Sequence, residues 1–139
     1  MMAKVGDLAF DQNGDLLAAT LGNTVTVHVF RIARGSSVAT DLGLQGEGGE
    51  HLAVDGAGNL YTGGEFMIAV FAPGATTPTR TFPLSFFADG LTVKRNGTLY
   101  VVGDNTVAEF APGANSPTNY ISTLYGETFT VDAALGAPW

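Results

Sequence analysis

The sequence predicts an all-β chain of β-propeller blades, and its internal repetition carries that prediction. Leu52–Phe82 reads LAVDGAGNLYTGGEFMIAVFAPGATTPTRTF and Leu91–Ser122 reads LTVKRNGTLYVVGDNTVAEFAPGANSPTNYIS. A worn copy, LAFDQNGDLLAATLGNTVTVHVF, occupies Leu8–Phe30, and GETFTVD at Gly126–Asp132 looks like the start of a fourth. Aligned on Asp11, Asp55, Lys94 and Asp132, the copies lie 44, 39 and 38 residues apart. Short strands repeating at about 40 residues are the pattern of propeller blades. No stretch carries the apolar spacing of a long amphipathic helix.

Each copy divides into four strands. The first is short and apolar: Leu8–Phe10, Leu52–Val54, Leu91–Val93, with Phe129–Val131 as the fourth copy's version. A tight turn follows, with Gly14, Gly58 or Gly97 beside Asn13, Asn59 or Asn96, residues that tolerate the positive φ such hairpins need. The second strand is expected at Asp15–Thr20, Asn59–Thr62 and Thr98–Val102. The third, rich in β-branched residues, is expected at Thr24–Phe30, Met67–Phe71 and Thr106–Phe110. Ala72-Pro73-Gly74-Ala75 and Ala111-Pro112-Gly113-Ala114 then read as type II turns, Pro fixing the first corner and Gly the second. The fourth strand, Thr79–Leu84 or Asn119–Thr123, is polar and flanked by proline, as an exposed edge should be. The repeats therefore span about residues 5–42, 49–84 and 88–123, with a partial fourth at 126–132, in one half-propeller domain over residues 1–139.

The first copy departs from this pattern. After Phe30 it has RIARGSS where the others have APGA, then a glycine-rich insertion, Gly43–Gly49. Matching Phe30 to Phe71 and Phe110 sets His28 level with Ala69 and Ala108, which reads as a histidine packed between sheets on one hydrogen bond. The insertion lacks the lysine and following helix of a phosphate loop and reads as a flexible connector.

Composition narrows the function. With 45% apolar and 14% charged residues the chain is a folded one. A net charge of −7 disfavours phosphate backbones, so nucleic acid is not an expected partner. No apolar run is long enough to span a bilayer. The opening MMAKVGDLAF has no apolar signal core, which by itself points to the cytoplasm, although an excised fragment or a removed leader would read the same way. The absence of cysteine excludes disulfides and thiolate metal sites.

The run VD–GNLY, a hydrophobic third strand ending in Phe, and APGA–P–T resemble NHL-type β-propeller repeats, also found in gluconolactonase-like and virginiamycin-B-lyase-like propellers. The resemblance covers about nine-tenths of the chain through its repeat, not through an active-site motif. It implies six blades in a closed ring, whereas this chain has three and an extra strand. Three blades cannot close a ring, since propellers have typically 4–8. The expectation is a head-to-tail homodimer forming a six-bladed ring, with Thr128–Val131 inserting at the partner's first blade. A β-trefoil is the competing architecture, because it too has three repeats and closes within one chain.

Candidate chemistry gathers where the inner strands begin. Asp7, Glu50, Asp89 and Glu127 precede the inner strands within one register position of each other, and His51 follows Glu50. In a closed ring they would form an acidic rim around the channel. Carboxylates suit a hard cation, and the resemblance implies that Ca²⁺ or another divalent cation could bind there. Otherwise no cofactor is expected. The plainer reading is that these acids are solvated turn residues that discourage edge pairing. Asp11-Gln12-Asn13-Gly14-Asp15 lacks the glycine and glutamate positions of a calcium loop and reads as a hairpin turn. Lys94, Arg95 and Arg80 read as solvated turn residues or a small basic spot. With His28 and His51 the only histidines, His51 with Glu50 or Asp89 is the one acid–base pair available. The sequence thus favours a self-assembling binding or scaffold module. A metal-dependent lactonase- or lyase-like enzyme is the alternative, and no ligand is identified.

Overall fold

The computed structural model describes residues 4–21, 27–46 and 49–121. They form three four-stranded antiparallel sheets, each made of consecutive strands in simple meander order. Blade 1 contains β1 (Lys4–Phe10), β2 (Leu16–Leu21), β3 (Val27–Ile32) and β4 (Ala39–Asp41). Blade 2 contains β5 (His51–Val54), β6 (Leu60–Gly64), β7 (Met67–Phe71) and β8 (Arg80–Pro83). Blade 3 contains β9 (Gly90–Val93), β10 (Leu99–Gly103), β11 (Thr106–Phe110) and β12 (Asn119–Ile121). The first strands lie side by side, β1 against β5 and β5 against β9. This is the radial arrangement of propeller blades with the first strand innermost. It is not a trefoil, whose repeats would share one barrel. Glu127 and the expected strand at Phe129–Val131 lie outside the described residues.

The turn chemistry is the expected one. Between the first and second strands, Gly14, Gly58 and Gly97 take φ of +81°, +85° and +93°. Their amides donate to the carbonyls of Asp11, Asp55 and Lys94 at 3.0, 3.1 and 2.9 Å. The acids of Asp11-Gln12-Asn13-Gly14-Asp15 serve this hairpin, with Asp11 Oδ1 accepting from the Asn13 and Asp15 amides. Ala75 donates to Ala72 and Ala114 to Ala111, both at 2.9 Å, with Gly74 and Gly113 at φ +76° and +79°. A side chain is costly at that φ, so glycine is required there.

Blade 1 corrects the sequence alignment. Leu16 pairs with Ile32, as Leu60 pairs with Phe71 and Leu99 with Phe110. Ile32, not Phe30, therefore occupies the phenylalanine position, and the copy is shifted by two residues. The shift brings Ala33-Arg34-Gly35-Ser36 level with APGA, and the turn is the same. Ser36 donates to Ala33 at 2.8 Å and Gly35 has φ +80°. His28 then falls level with Met67 and Thr106, at the open end of the sheet. It is not packed between sheets. Its exposed ring lies 2.9 Å from Asp41 Oδ2 on β4. β4 itself, three exposed residues, had no sequence signal.

Two cores separate the blades. Leu17, Ala19 and Val29 of blade 1 pack on Leu52, Leu60, Ala69 and Phe71 of blade 2. Leu42, and Leu44 in the glycine-rich connector, join this core, so the start of that connector is held by packing. Between blades 2 and 3, Tyr61, Ile68, Val70 and Phe82 meet Leu91, Leu99, Val101 and Phe110, closed by Leu84 and Phe86 of the connecting segment. Fully burying each large apolar side chain contributes about 1.5–3 kcal/mol, so the blades are held face to face chiefly by these layers. The fit is close at Gly63, where a Cβ would overlap the Leu91 side chain.

Candidate functional site

Glu50 and Asp89 lie at the leading end of the inner strands, as the sequence places them, whereas Asp7 lies within β1, just after its irregular first residues. A bulge between Val5 and Asp7 turns β1 there, and Gly6 passes so close to Glu50 that an added Cβ would sit 3.0 Å from the Glu50 Cβ. Glu50 stands immediately before β5 and Asp89 immediately before β9.

Their environments differ. Asp7 is half-buried and both of its oxygens accept backbone hydrogen bonds. Leu8 N donates to Oδ1 at 2.8 Å, and Leu52 N, across the gap to blade 2, donates to Oδ2 at 2.9 Å. This carboxylate ties two blades together. Glu50 Oε1 lies 3.8 Å from His51 Nε2, beyond hydrogen-bond reach but close enough for attraction when the ring is protonated. Asp89 is exposed, and its amide donates to the Val102 carbonyl at 2.8 Å. Among the described residues no three His, Asp or Glu side chains are close enough to hold a metal ion together.

One feature of this end was missed in the sequence reading. Phe66, in the β6–β7 turn, and Phe87, just before Asp89, are 55% and 42% exposed. Their rings meet edge to face, with centroids 5.9 Å apart at 87°. The pairing is built in by the backbone. Leu84 N donates to the Phe66 carbonyl at 2.7 Å, and Ala88 N donates to the Glu65 carbonyl at 2.8 Å. The 84–88 segment is thereby laced onto the β6–β7 turn, which carries both rings to the rim beside Asp89. The sequence signal was there: a phenylalanine in a two-residue turn, where the next blade has Asp104-Asn105.

Other acids serve the fold. Asp15, buried, accepts from Arg34 N at 2.8 Å and pairs with Arg31 Nε at 3.0 Å. Asp55, also buried, accepts from the amides of Ala57 and Asn59, from Asn59 Nδ2 at 2.9 Å and from the Tyr61 hydroxyl at 3.2 Å. Burial, and then the charge of Asp55, push the Tyr61 phenol up to about 12. The Gly43 amide, donating to Asp41 at 2.8 Å, holds that carboxyl below the usual carboxylate range; desolvation opposes it and His28 adds to it. Two of the cations noted in the sequence, Arg80 and Lys94, have engaged side chains. Arg80 donates to Ala114 O and Asn115 Oδ1 and lies over the Phe82 ring. Lys94 lies over Tyr100, and the Arg95 carbonyl accepts from Gly56 of the neighbouring blade at 2.9 Å. At the trailing end, a groove of about 180 Å³ between blades 1 and 2 is lined by Gln12, Arg31, Leu44, Phe71 and Pro73 among others.

No protein-family model matches the chain, and no curated protein matches its sequence significantly. Solved structures do match its fold. Hydrazine synthase of Kuenenia stuttgartiensis is similar at a TM-score of 0.68 and 16% identity, over 86% of this chain and 36% of that one. Regucalcin of Agrobacterium tumefaciens, a calcium-binding protein, is similar at a TM-score of 0.57 and 14% identity, over 82% of this chain and 43% of that one. The WD40 domain of Neurospora crassa Pan2 is similar at a TM-score of 0.53 and 11% identity, over 86% of this chain and 50% of that one. The chain thus spans about a third to a half of the length of these structures. Three consecutive four-stranded sheets packed face to face, with these likenesses, make it a β-propeller module.

Proposed function

We propose that the chain is an NHL-like propeller repeat module that works as a binding or scaffold protein, using the rim at the leading end of its inner strands. The observation that carries this is the exposed Phe66–Phe87 pair beside Asp89, with Glu50 and His51 at the same end. Exposed aromatic rings among carboxylates suit a protein segment or a carbohydrate-like ligand. The rings offer flat apolar area, and the acids offer hydrogen-bond acceptors around it. The buried acids support the reading from the other side. Asp15 and Asp55 are buried in turn contacts and half-buried Asp7 spends both oxygens on backbone amides, which leaves Glu50 and Asp89, with Glu65 and Asp104 in the second turns, as the described acids open to a ligand at this end.

A second reading, a metal-dependent lactonase- or lyase-like enzyme, draws on the likeness to regucalcin and on those same two acids. The two are separated by one pair of assays. Sugar lactones are offered with millimolar calcium to the wild type and to the Glu50→Ala/Asp89→Ala variant. Turnover lost in that variant overturns the scaffold reading. Peptide and oligosaccharide panels are then screened by NMR. A ligand that shifts Phe66 and Phe87 resonances and is lost in Phe66→Ser/Phe87→Ser supports it.

A further inference from the structure

The groove at the trailing end between blades 1 and 2 has a counterpart between blades 2 and 3, and there the space is filled by the ring of Tyr61. Tyr61 pairs with Ala53 on one side and Val70 on the other. Leu17 pairs in the same way with Ala9 and Arg31, so it stands at the Tyr61 position. The Tyr61 hydroxyl reaches the trailing turns. It donates to Asp55 Oδ2 at 3.2 Å, and a Cβ on Gly97 would lie 3.8 Å from it and 3.5 Å from Pro112 Cβ. The matching residues of the other pair of blades, Asp11, Gly58 and Pro73, all line the groove, as does Leu17. Leucine ends short of where a tyrosine ring reaches, and the groove is the space left over. Exposure agrees with this: Val54 and Gly58 are partly exposed, while their counterparts Val93 and Gly97 are buried.

Two further substitutions keep the groove open. Leu42, whose amide donates to Val29 O, stands where blade 2 has Phe82 against Ile68, and so lacks the ring that Phe82 packs on Phe110. Gln12 stands where blade 2 has Gly56. The Gly56 amide ties the turns of blades 2 and 3 by donating to Arg95 O, whereas the Gln12 side chain lies against Gly58, with Nε2 2.7 Å from where a Cβ would be. A hydrogen-bonding end is also in place. Asp55 Oδ1 accepts from two turn amides, and Oδ2 takes Asn59 Nδ2 and the Tyr61 hydroxyl. Asp11 Oδ1 accepts from the amides of Asn13 and Asp15, at the same two turn positions. Asp15, a carboxylate where blade 2 has an amide, accepts from Arg31 and Arg34 and donates nothing. Among the described residues no donor meets Asp11 Oδ2.

We propose that this groove binds a small free phenol, its ring in the space that Tyr61 fills one blade further on and its hydroxyl donating to Asp11 Oδ2. The groove of about 180 Å³ is large enough, since apolar cavities of about 150 Å³ take up benzene. Arg31, in place of Val70, adds a cation to the wall, and a cation over a ring face is favourable. The same geometry excludes the tyrosine of a partner protein. In Tyr61 the carbon para to the hydroxyl carries the chain, and in the groove that position meets Leu17. The site lies at the opposite end from Phe66 and Phe87 and does not depend on what binds there.

The test is a titration of the purified chain with phenol, toluene and N-acetyltyrosinamide, followed by backbone amide NMR. Phenol should shift Asn13, Gly58 and Gly74 saturably. Toluene, of similar shape without the hydroxyl, should bind at least about tenfold more weakly, the worth of a hydrogen bond to a charged acceptor. N-acetyltyrosinamide, tethered at the para carbon, should leave these resonances unmoved. Leu17→Tyr should fill the groove from within, abolish the phenol shifts and raise the urea midpoint. Asp11→Asn keeps an acceptor for the turn and should bring phenol down to the toluene level, which tests the site if Leu17→Tyr does not fold. Absence of saturable shifts at the groove overturns the proposal. So do equal affinities for phenol and toluene, undiminished phenol binding to Leu17→Tyr, or N-acetyltyrosinamide binding as tightly as phenol, which would make the groove a dock for a partner's tyrosine.

Discussion

Tyr61 should make the fold sensitive to alkali, and the structure sets the size of the effect. The ring is 3% exposed and its hydroxyl donates to Asp55 Oδ2 at 3.2 Å. Ionising it would put an anion in a buried site against a carboxylate, which is why burial and Asp55 raise the phenol from 10.0 to about 12. The unfolded chain lacks that environment and loses the proton near pH 10. The folded form therefore holds the proton more tightly. The stabilisation is fully present below pH 10 and is lost as pH rises through the folded value near 12. By linkage the loss is about 1.4 kcal/mol at pH 11 and approaches about 2.7 kcal/mol once both states are ionised.

Tyr61→Phe removes the titration and one hydrogen bond to a charged acceptor, costing about 1.5–3 kcal/mol at neutral pH. The assay is urea denaturation of both proteins at pH 7, 9 and 11, followed by circular dichroism, with tyrosinate absorbance read in parallel. The wild-type advantage should be constant from pH 7 to 9 and shrink by about 1.4 kcal/mol at pH 11. Any other tyrosine titrates alike in both proteins and cancels. A gap that stays constant to pH 11 would refute the reasoning, because Tyr61 would then ionise as readily folded as unfolded.

Three further outcomes are expected. Phe110→Ala, which removes a ring 5.2 Å from Phe82 in the core between blades 2 and 3, should cost about 3–5 kcal/mol in urea denaturation. Gly63→Ala, whose new methyl would overlap the Leu91 side chain, should cost about 1–3 kcal/mol as overpacking; a neutral result would mean the blades can part without penalty. Asp7→Ala, which leaves the buried Leu52 amide without its acceptor, should cost about 1–3 kcal/mol and speed hydrogen exchange at Leu52, while Asp7→Asn should restore part of the protection.

Blades 2 and 3 were legible because the two copies agree at nearly every turn and strand. Blade 1 was misread at one point, and the cause is physical. Proline at the second position of APGA assists the turn, but glycine at the third position, with its positive φ, is what the turn requires. Ala33-Arg34-Gly35-Ser36 keeps that glycine and replaces the proline. Phe30 therefore looked like the end of the strand, and His28 inherited a buried position it does not have. Glu50 and Asp89 were legible as to which end they occupy, since each immediately precedes a periodic strand, whereas Asp7 lies within its strand. What Asp7 does there was not. Its partner is an amide 45 residues away, and no local pattern encodes a side chain that reaches another blade. The Phe66–Phe87 pair was hidden for the same reason in part: Phe66 in a turn was visible, but its meeting with Phe87 depends on hydrogen bonds across the connecting segment.

The distribution of repeated and unrepeated residues gives the last step. Some positions keep one chemistry in all three blades, Val29, Ile68 and Val107 on the back faces and Gly35, Gly74 and Gly113 at the outer turns. Such positions hold a blade against its neighbour and are interchangeable between blades. The second turns do not recur. Blade 2 has Glu65-Phe66 and blade 3 has Asp104-Asn105 on the same backbone scaffold, all at the leading end. A propeller gains specificity where its loops differ, because the sheets beneath fix their positions without dictating their side chains. Phe66 is costly to expose and is not needed by the turn it occupies. Its placement against Phe87 at the acidic end is therefore better accounted for by what it meets from outside than by the stability of blade 2.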